Sequence, residues 1–284
     1  MLANFVAWLA GVGLALTVLL TLATERLGSL GNRGEAAIAL GRLAGMVAAY
    51  AMLVIVLLVA RLPVIERVAG QDRLVAWHRR LGPWPLYLVA AHGVLITIGY
   101  AAQAKQGLPS ELWTLLTTYP GVLAGTVGFA LLIAAGVSSY RLARRRLAYE
   151  TWWSVHLYTY LALFLAFSHQ VADGQAFVGH SAARAIWTGM WIAGAALVLV
   201  YRVGLPLLRT LRHLPVVEAV HMDAPGVATI EVRGRALDRL PASGGQFFNW
   251  RVLRRGLWWQ AHPYSLSGLP GDGRLRLTVK AIGD

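Results

Sequence analysis

The sequence contains no cysteine in its 284 residues, and this absence excludes several kinds of chemistry at once. Disulfides, thiolate metal sites, cysteine-bound iron–sulfur clusters and cysteine nucleophiles all need thiols that the chain does not have. Any metal centre must therefore be held by histidine, by carboxylate or by the ligands of a cofactor.

Charged residues are also scarce, at 14% of the chain, whereas 57% of the residues are hydrophobic and the mean hydropathy is +0.56. Nearly all of the apolar surplus lies before residue 210, which predicts a membrane part followed by a soluble part, with lipid as a partner. The net charge of +13 comes mostly from arginines in short connections between apolar runs. That pattern is typical of membrane topology signals and argues against a nucleic-acid partner.

Six apolar stretches are long enough to cross a hydrocarbon core of about 30 Å. The first has no basic leader and no small-residue cleavage site, so we interpret it as a retained helix and not as a signal peptide. The six predicted spans are Asn4–Ala23, Ala36–Ala60, Pro83–Gln103, Gly121–Tyr140, Thr151–Val171 and Ala185–Gly204.

The arginines predict the orientation of these spans. They concentrate in the connections 61–80 and 141–150 and after the sixth span, whereas the alternate connections carry few basic residues. The positive-inside rule then places the arginine-rich connections and both termini in the cytoplasm. We expect a multi-pass protein of the cell's inner (plasma) membrane.

The pattern changes after Val216 to short β-branched or alternating runs bounded by Pro, Gly, Asp and Ser. Such runs are typical of strands in a small antiparallel barrel. The sequence therefore predicts a membrane domain over residues 1–210 and a partial cytoplasmic barrel over residues 216–284. The runs are VVEAVHM, GVATIEVRG, GQFFNWRV and RLRLTVKAI.

Four of the eight histidines lie within or next to predicted spans, where an ionisable side chain is costly and usually functional. His78 and His92 are 14 residues apart around the third span, and His156 and His169 are 13 apart around the fifth. Each separation corresponds to about 20 Å along a helix. Because both spans run in the same direction, His78 should lie level with His156, and His92 with His169.

Two helices that each offer histidines at two matching depths can hold two metal centres. A porphyrin plane fits between helices and takes an axial imidazole from each side, so two haems are the predicted occupants. The alternative is that the histidines only hydrogen-bond to neighbouring helices. One conflict remains open: 14 residues return to within about 40° of the same helix face, but 13 leave the side chains about 140° apart. Either the fifth helix is distorted or the two porphyrins are turned relative to each other.

The soluble part contains HPYSLSG, from His262 to Gly268. An aromatic and a hydroxyl residue at a strand end can stack on a flat ring and hydrogen-bond to its rim, although the pattern alone is weak. Together with the histidine pairs it makes the chain resemble the ferric reductase / NADPH oxidase superfamily. Those proteins join a six-helix membrane domain to a ferredoxin-reductase-like flavin domain.

The resemblance implies an all-α six-helix haem-binding bundle followed by a partial antiparallel β-barrel that binds FAD. It implies two b-type haems, with His78 and His156 on the cytoplasmic side and His92 and His169 on the outer side as iron ligands. It also implies NAD(P)H as the electron donor. The FAD-binding residues would be His262, Pro263, Tyr264, Ser265, Ser267 and, in the run LTVKAIGD, Lys280.

Three arginines are further candidates for cofactor binding. Arg79 and Arg80 are first of all topology signals, and either could also pair with a propionate of the inner haem. Arg42, in GRLAG of the second span, matches an arginine of the family. It could bind an outer haem propionate, which we favour, or attract an anionic or oxygen species.

Two features depart from the family pattern. The sequence ends at Asp284 without a Gly-rich phosphate loop, so we expect the nucleotide-binding portion to belong to a missing segment or to a separate reductase partner. Superoxide-forming relatives carry a histidine one turn beyond the outer ligand of the third helix, and Ile96 stands here instead.

The sequence thus predicts an oxidoreductase that passes electrons from cytoplasmic reduced FAD through two haems to an acceptor outside. Ferric or metal-chelate reduction is the leading hypothesis, and superoxide formation from O₂ is the alternative within the same class. A haem-bearing relay subunit fed by a separate flavoprotein or quinol is a second alternative. A non-redox transporter that uses the histidines as a proton relay is a third.

Overall fold

A computed structural model describes residues 2–25, 31–240, 247–255, 262–268 and 273–281. The chain forms two compact units, Met1–Arg202 and Val203–Asp284. The second unit begins before the predicted strand-rich segment because it includes a helix whose last residue, His213, is tied to Arg235. The His213 Nδ1–H donates to the Arg235 carbonyl at 2.8 Å, and the Arg235 N–H donates back to the His213 carbonyl at 2.7 Å.

The first unit is helical. Five helices cover the predicted spans 1 to 3 and the segment before the third, two more follow, and the remaining three lead to and include the sixth span. In chain order they are α1 (Leu2–Leu22), α2 (Arg33–Leu58), α3 (Pro63–Ala69), α4 (Gln71–Leu81), α5 (Pro83–Ala104), α6 (Leu108–Thr118), α7 (Val122–Ser139), α8 (Arg141–Arg146), α9 (Tyr149–Asp173) and α10 (Ser181–Leu199).

Within the described ranges, five helical segments are long and apolar enough to cross a membrane. They are Asn4–Leu22, Arg33–Leu58, Gln71–Ala104, Val122–Ser139 and Ser181–His213. They coincide with five of the six predicted spans. The remaining predicted span is α9, whose 25 residues would reach about 37 Å. Two histidines and several Tyr and Trp residues lower the hydropathy of α9, so length supports this span better than composition does.

Helix α2 is the centre of the first unit and packs against α5, while α7 packs against α9. Small residues allow the α2–α5 approach: a Cβ on Gly99 would collide with Ile38, and one on Gly41 would lie 3.1 Å from Ile96. Two apolar clusters fill the interior around α2, as expected where close packing replaces the hydrophobic effect between helices. Their buried members are Met46, Ala48, Ala49, Tyr50, Met52, Leu132, Ala162, Leu163, Ala176, Phe177 and Trp187.

The third span begins with a break in the helical hydrogen-bond ladder. Gly82 has α-helical dihedrals and its N–H bonds to the His78 carbonyl at 2.8 Å, so the chain continues in nearly helical form. Pro83 and Pro85 have no N–H to donate, and the ladder is therefore interrupted between α4 and α5. His78 lies on α4, on one side of this break, and His92 lies on α5, on the other.

In its described part, the second unit contains one α-helix, α11 (Leu205–His213), a short 3-10 helix (Leu237–Arg239) and two antiparallel sheets. The strands are β1 (Val216–Ala224), β2 (Val227–Arg233), β3 (Phe247–Trp250), β4 (His262–Ser265) and β5 (Arg274–Lys280). Their order is β1-β2-β5 in one sheet and β3-β4 in the other, with a single bridge between Leu266 and Leu277. A small core formed by Val232, Leu237, Leu266, Leu275 and Leu277 lies between them. The antiparallel arrangement is confirmed, whereas a closed barrel is not seen among these strands.

Candidate functional site

The structure brings the four membrane histidines together in the predicted pairs. The ring centres of His78 and His156 are 6.0 Å apart with an interplanar angle of 72°. Those of His92 and His169 are 6.3 Å apart with an angle of 57°. We name His78/His156 the inner pair and His92/His169 the outer pair, after the predicted orientation.

These separations fit two imidazoles that bind one metal from opposite sides. A metal–nitrogen bond is about 2 Å long and the nitrogen lies about 1 Å from the ring centre, which puts the two centres about 6 Å apart. In the described residues, no three or more His, Cys, Asp or Glu side chains gather to hold an ion. Two ligands suit an iron that already has four porphyrin nitrogens better than a bare ion, which needs four ligands of its own.

Helix α2 fixes the rings of both histidines of the third span. The Nδ1–H of His78 donates to the Ile55 carbonyl at 3.0 Å, and that of His92 donates to the Gly41 carbonyl at 2.8 Å. A carbonyl oxygen can only accept, so each Nδ1 carries the proton and each Nε2 is left as the ligand atom. The two acceptors are 14 residues apart, as are the two histidines, because α2 runs antiparallel to α4 and α5.

The outer pair is bounded by glycines. A Cβ on Gly45 of α2 would lie 2.7 Å from the His92 Nδ1, and one on Gly125 of α7 would lie 3.1 Å from the His169 ring. The Nδ1–H of His169 donates to Asp173 Oδ2 at 3.1 Å, and the Gly121 N–H donates to the same oxygen at 2.9 Å. The outer pair therefore has one backbone carbonyl and one carboxylate as its supporting acceptors.

The inner pair is supported by aromatic and neutral groups instead. The His156 ring stacks on Trp152 at 5.2 Å, and its Nδ1 lies 3.4 Å from the Ser139 Oγ. That hydroxyl donates to the Ala135 carbonyl at 2.6 Å and accepts from the Trp152 Nε1–H at 3.0 Å, so it is also the acceptor for His156. The guanidinium carbon of Arg144 lies 4.8 Å from the Trp152 ring centre, a cation–π distance.

The 13-residue spacing does not distort α9, which is α-helical from Tyr149 to Asp173. The expected distortion is therefore not found in that helix. The irregularity lies in the opposite member, at the Gly82–Pro83 break between the two histidines of the third span. Because His78 belongs to α4 and His92 to α5, they need not share a single straight helix face. The relative turn of two porphyrins stays a prediction.

Arg42 already has partners on neighbouring helices and loops. One guanidinium nitrogen lies 3.2 Å from both Glu25 carboxylate oxygens, and the other lies 3.3 Å from the Tyr100 hydroxyl. Glu25 thus neutralises the charge that a propionate or an anion would use, and its contact with Arg42 was not predicted from the sequence. Arg79 and Arg80 are exposed on α4 beside His78. This exposure is consistent with the prediction that they are topology signals. A propionate contact for any of the three stays a prediction.

The residues of the predicted flavin motif lie on β4 and just after it. His262 and Tyr264 are half-buried and stack on each other at 6.1 Å and 11°, while Pro263 and Ser265 point to the exposed face. Ser267 bonds through its N–H to the Arg276 carbonyl, and Lys280 is exposed at the end of β5. The structure thus groups the four motif residues on one strand, and FAD binding by them stays a prediction.

Sequence analysis missed the supporting groups of the histidines. Asp173 carried a usable signal, because it stands four residues after His169 and such residues share a helix face. Trp152 carried the same kind of signal, because it stands four residues before His156 on α9. Ser139 and the glycines come from other elements, and their spacing gives no comparable signal.

One comparison bears on the first unit. Residues 44–167 match the family described as ferric reductase like transmembrane component. The matched region runs from within α2 to within α9 and contains His78, His92 and His156, and it ends two residues before His169. Over this region the chain is similar to that family, which confirms the predicted resemblance to the ferric reductase / NADPH oxidase superfamily.

Proposed function

We propose that this chain carries single electrons across the membrane, from reduced FAD on the cytoplasmic side to an acceptor on the outer side. The observation that carries the proposal is the pair of facing histidines at each of two depths, with ring centres 6.0 and 6.3 Å apart. The family match to a ferric reductase like transmembrane component supports the same class of reaction. We propose ferric or metal-chelate reduction as the activity.

The inner pair and the outer pair would each hold one b-type haem. When bound, haem iron supplies reversible one-electron chemistry between its ferric and ferrous states. His78 and His92 donate their Nδ1–H to α2 carbonyls, which keeps their Nε2 lone pairs free for the metal. The protein's own contribution is to hold these four nitrogens in place before any cofactor binds.

The separation of the two pairs along the third span would support electron transfer across the membrane. Fourteen residues separate the histidines of the third span, or about 21 Å along the helical path, within a hydrocarbon core of about 30 Å. Two stations at these depths divide the membrane into shorter distances. Two histidines per site would both hold the haem iron, which favours an acceptor that is reduced without binding to the iron, such as a ferric chelate.

On the cytoplasmic side, the strand containing His262, Pro263, Tyr264 and Ser265 would bind FAD, with Ser267 and Lys280 nearby in sequence. Ser265 and Lys280 are exposed and could hydrogen-bond or ion-pair to the flavin's polar groups. NAD(P)H would be the reductant of this flavin, through a nucleotide-binding portion or a partner reductase.

The decisive measurement is the visible spectrum of the purified protein after dithionite reduction, with haem quantified per chain. We expect two low-spin b haems per chain. His92→Ala or His169→Ala should remove the outer haem and spare the inner, whereas His78→Ala or His156→Ala should remove the inner. His180→Ala is the control, because His180 is exposed in a loop outside both pairs. A colourless protein, or unchanged haem in all four variants, would overturn the proposal.

Flavin binding tests the donor side separately. We expect the purified protein to bind FAD and to reduce a ferric chelate outside sealed vesicles when reduced flavin is supplied inside. Tyr264→Ala should weaken FAD binding without changing haem content. If the haem protein binds no FAD, the donor half of the proposal fails and the chain is a relay subunit for a separate flavoprotein.

A further inference from the structure

The four histidines differ in the charge of the group that accepts their Nδ1–H. His78 and His92 donate to backbone carbonyls, and His156 faces the Ser139 hydroxyl at the long distance of 3.4 Å. His169 donates to the carboxylate of Asp173 at 3.1 Å. Among the four, His169 is the one with an anionic supporting group.

The Asp173 carboxylate is held in place from a second helix. Its Oδ2 accepts the Gly121 N–H at 2.9 Å, at the start of α7, and its side chain is only 10% exposed. A Cβ on Gly121 would lie 2.5 Å from this oxygen and 2.8 Å from the His169 Cα. The absence of a side chain at Gly121 is therefore what lets the carboxylate bridge α7 and α9.

A carboxylate acceptor changes the electronic character of an imidazole. It draws the Nδ1 proton toward itself and raises the basicity of the Nε2 nitrogen, which becomes a stronger metal ligand. Its negative charge also acts directly on a metal across a poorly polarisable interior, where electrostatic effects are larger than in water. Both effects stabilise the ferric state over the ferrous state, and both therefore lower the reduction potential.

We propose that Asp173 is a positioning residue that lowers the reduction potential of the outer site through His169. This inference rests on the proposed function and adds a property to it. A lower potential at the outer pair makes that site the stronger reductant toward the acceptor outside. Such a site suits acceptors that are hard to reduce, as tightly chelated ferric iron is.

The test is a spectroelectrochemical titration of the full-length protein with both haems bound. Asp173→Asn removes the charge but keeps a carbonyl oxygen that can accept from His169. We expect the midpoint potential of the outer haem to rise, the potential of the inner haem to stay the same, and the electron paramagnetic resonance signal of the outer haem alone to shift. Glu35→Gln is the control, because it removes a carboxylate near the start of α2 without touching a histidine partner named above.

Gly121→Ala provides a second variant at the same contact. Its backbone is α-helical and accepts alanine, but the added methyl group must displace the Asp173 carboxylate and also lies 2.8 Å from the His169 Cα, so the potential is measured on protein whose two haems have first been quantified. We expect the outer potential to rise in this variant as well, so the test stands even if Asp173→Asn folds poorly. Two haems with unchanged potentials in both variants would overturn the role of Asp173 and leave the proposed function intact. Failure of His92→Ala and His169→Ala to remove a haem would overturn the proposed function itself.

Discussion

The inner and outer histidine pairs use the same side chains in nearly the same geometry, yet their surroundings have little in common. The outer pair lies among glycines and a carboxylate, and the inner pair lies among Trp152, Ser139 and the cation of Arg144. The outer surroundings are therefore compact and negatively charged, whereas the inner surroundings are bulky, polarisable and near a positive charge.

This difference shows that matching ring positions do not imply matching chemistry. One helix, α2, supplies an equivalent backbone acceptor to each pair, so the difference in hydrogen-bond acceptors comes from the partners of His156 and His169 on α7 and α9. The histidines of the third span are held in the same way in both pairs, whereas the histidines of the fifth span have different hydrogen-bond acceptors. Variants that alter one pair and not the other test this division.

The largest effect is expected from Gly45→Ala. The added Cβ would lie 2.7 Å from the His92 Nδ1, inside any normal contact distance, so the ring must leave its place on the Gly41 carbonyl. We expect loss of the outer haem with the inner haem retained, and a destabilisation of about 1–3 kcal/mol from overpacking. Haem content and the reduced spectrum of the purified variant measure this.

Gly93→Ala is the matched control for that variant. Gly93 follows His92 directly on α5, and a Cβ there meets nothing within 4 Å. Both haems should remain. If Gly45→Ala also kept both haems, the position of His92 would not depend on this close approach.

A smaller effect is expected from Trp152→Leu at the inner pair. The change removes the indole on which His156 stacks and the platform for Arg144, interactions worth about 0.5–1.5 kcal/mol for each aromatic pair. The inner haem should bind more weakly and show a broadened resonance signal, with the outer signal unchanged. Trp84→Leu, at an exposed tryptophan of α5, is the control, and an equal effect there would point to general destabilisation.

The smallest effect is expected from Ser139→Ala. The His156 Nδ1 loses an acceptor at 3.4 Å, a distance at which hydrogen bonds are weak. We expect a shift of the inner potential that is smaller than the shift of the outer potential in Asp173→Asn. Ser138→Ala is the control. It removes a neighbouring hydroxyl that donates to the Ala135 carbonyl, and both reduction potentials should stay unchanged. If Ser139→Ala shifted the inner potential more than Asp173→Asn shifted the outer potential, the expectation that the carboxylate is the stronger supporting group would be wrong.

Much of the helical unit could be predicted from sequence because membrane spans and topology depend on local composition. The bounds of α5, Pro83–Ala104, agree with the predicted Pro83–Gln103 because a proline starts the helix and polar residues follow it. The pairing of the histidines could also be predicted, since rise per residue converts sequence separation into depth. Rotation about the helix axis could not, because the hydrogen-bond ladder is interrupted at Gly82–Pro83, between His78 and His92, and an ideal-helix angle does not apply across such a break.

The supporting groups were largely beyond sequence reasoning for a related reason. Ser139 and Gly121 reach the histidines across a helix–helix interface, and which residues of α7 face α9 depends on packing that no periodicity specifies. Glu25 likewise reaches Arg42 from a different segment of the chain. Asp173 and Trp152 were the exceptions, because each stands four residues from its histidine on α9, a relation that is local to one helix.

The spacing of two acceptors in α2 limits which insertions and deletions this protein can tolerate. The carbonyls of Gly41 and Ile55 are 14 residues apart in α2. They accept hydrogen bonds from His92 and His78, which are also 14 residues apart in the antiparallel helices α5 and α4. One residue inserted between Gly41 and Ile55 would turn the helix by about 100° and move one carbonyl by about 1.5 Å relative to the other. An insertion or deletion that changes the spacing of the two histidines of the third span must therefore be matched by an equal change between Gly41 and Ile55 in α2.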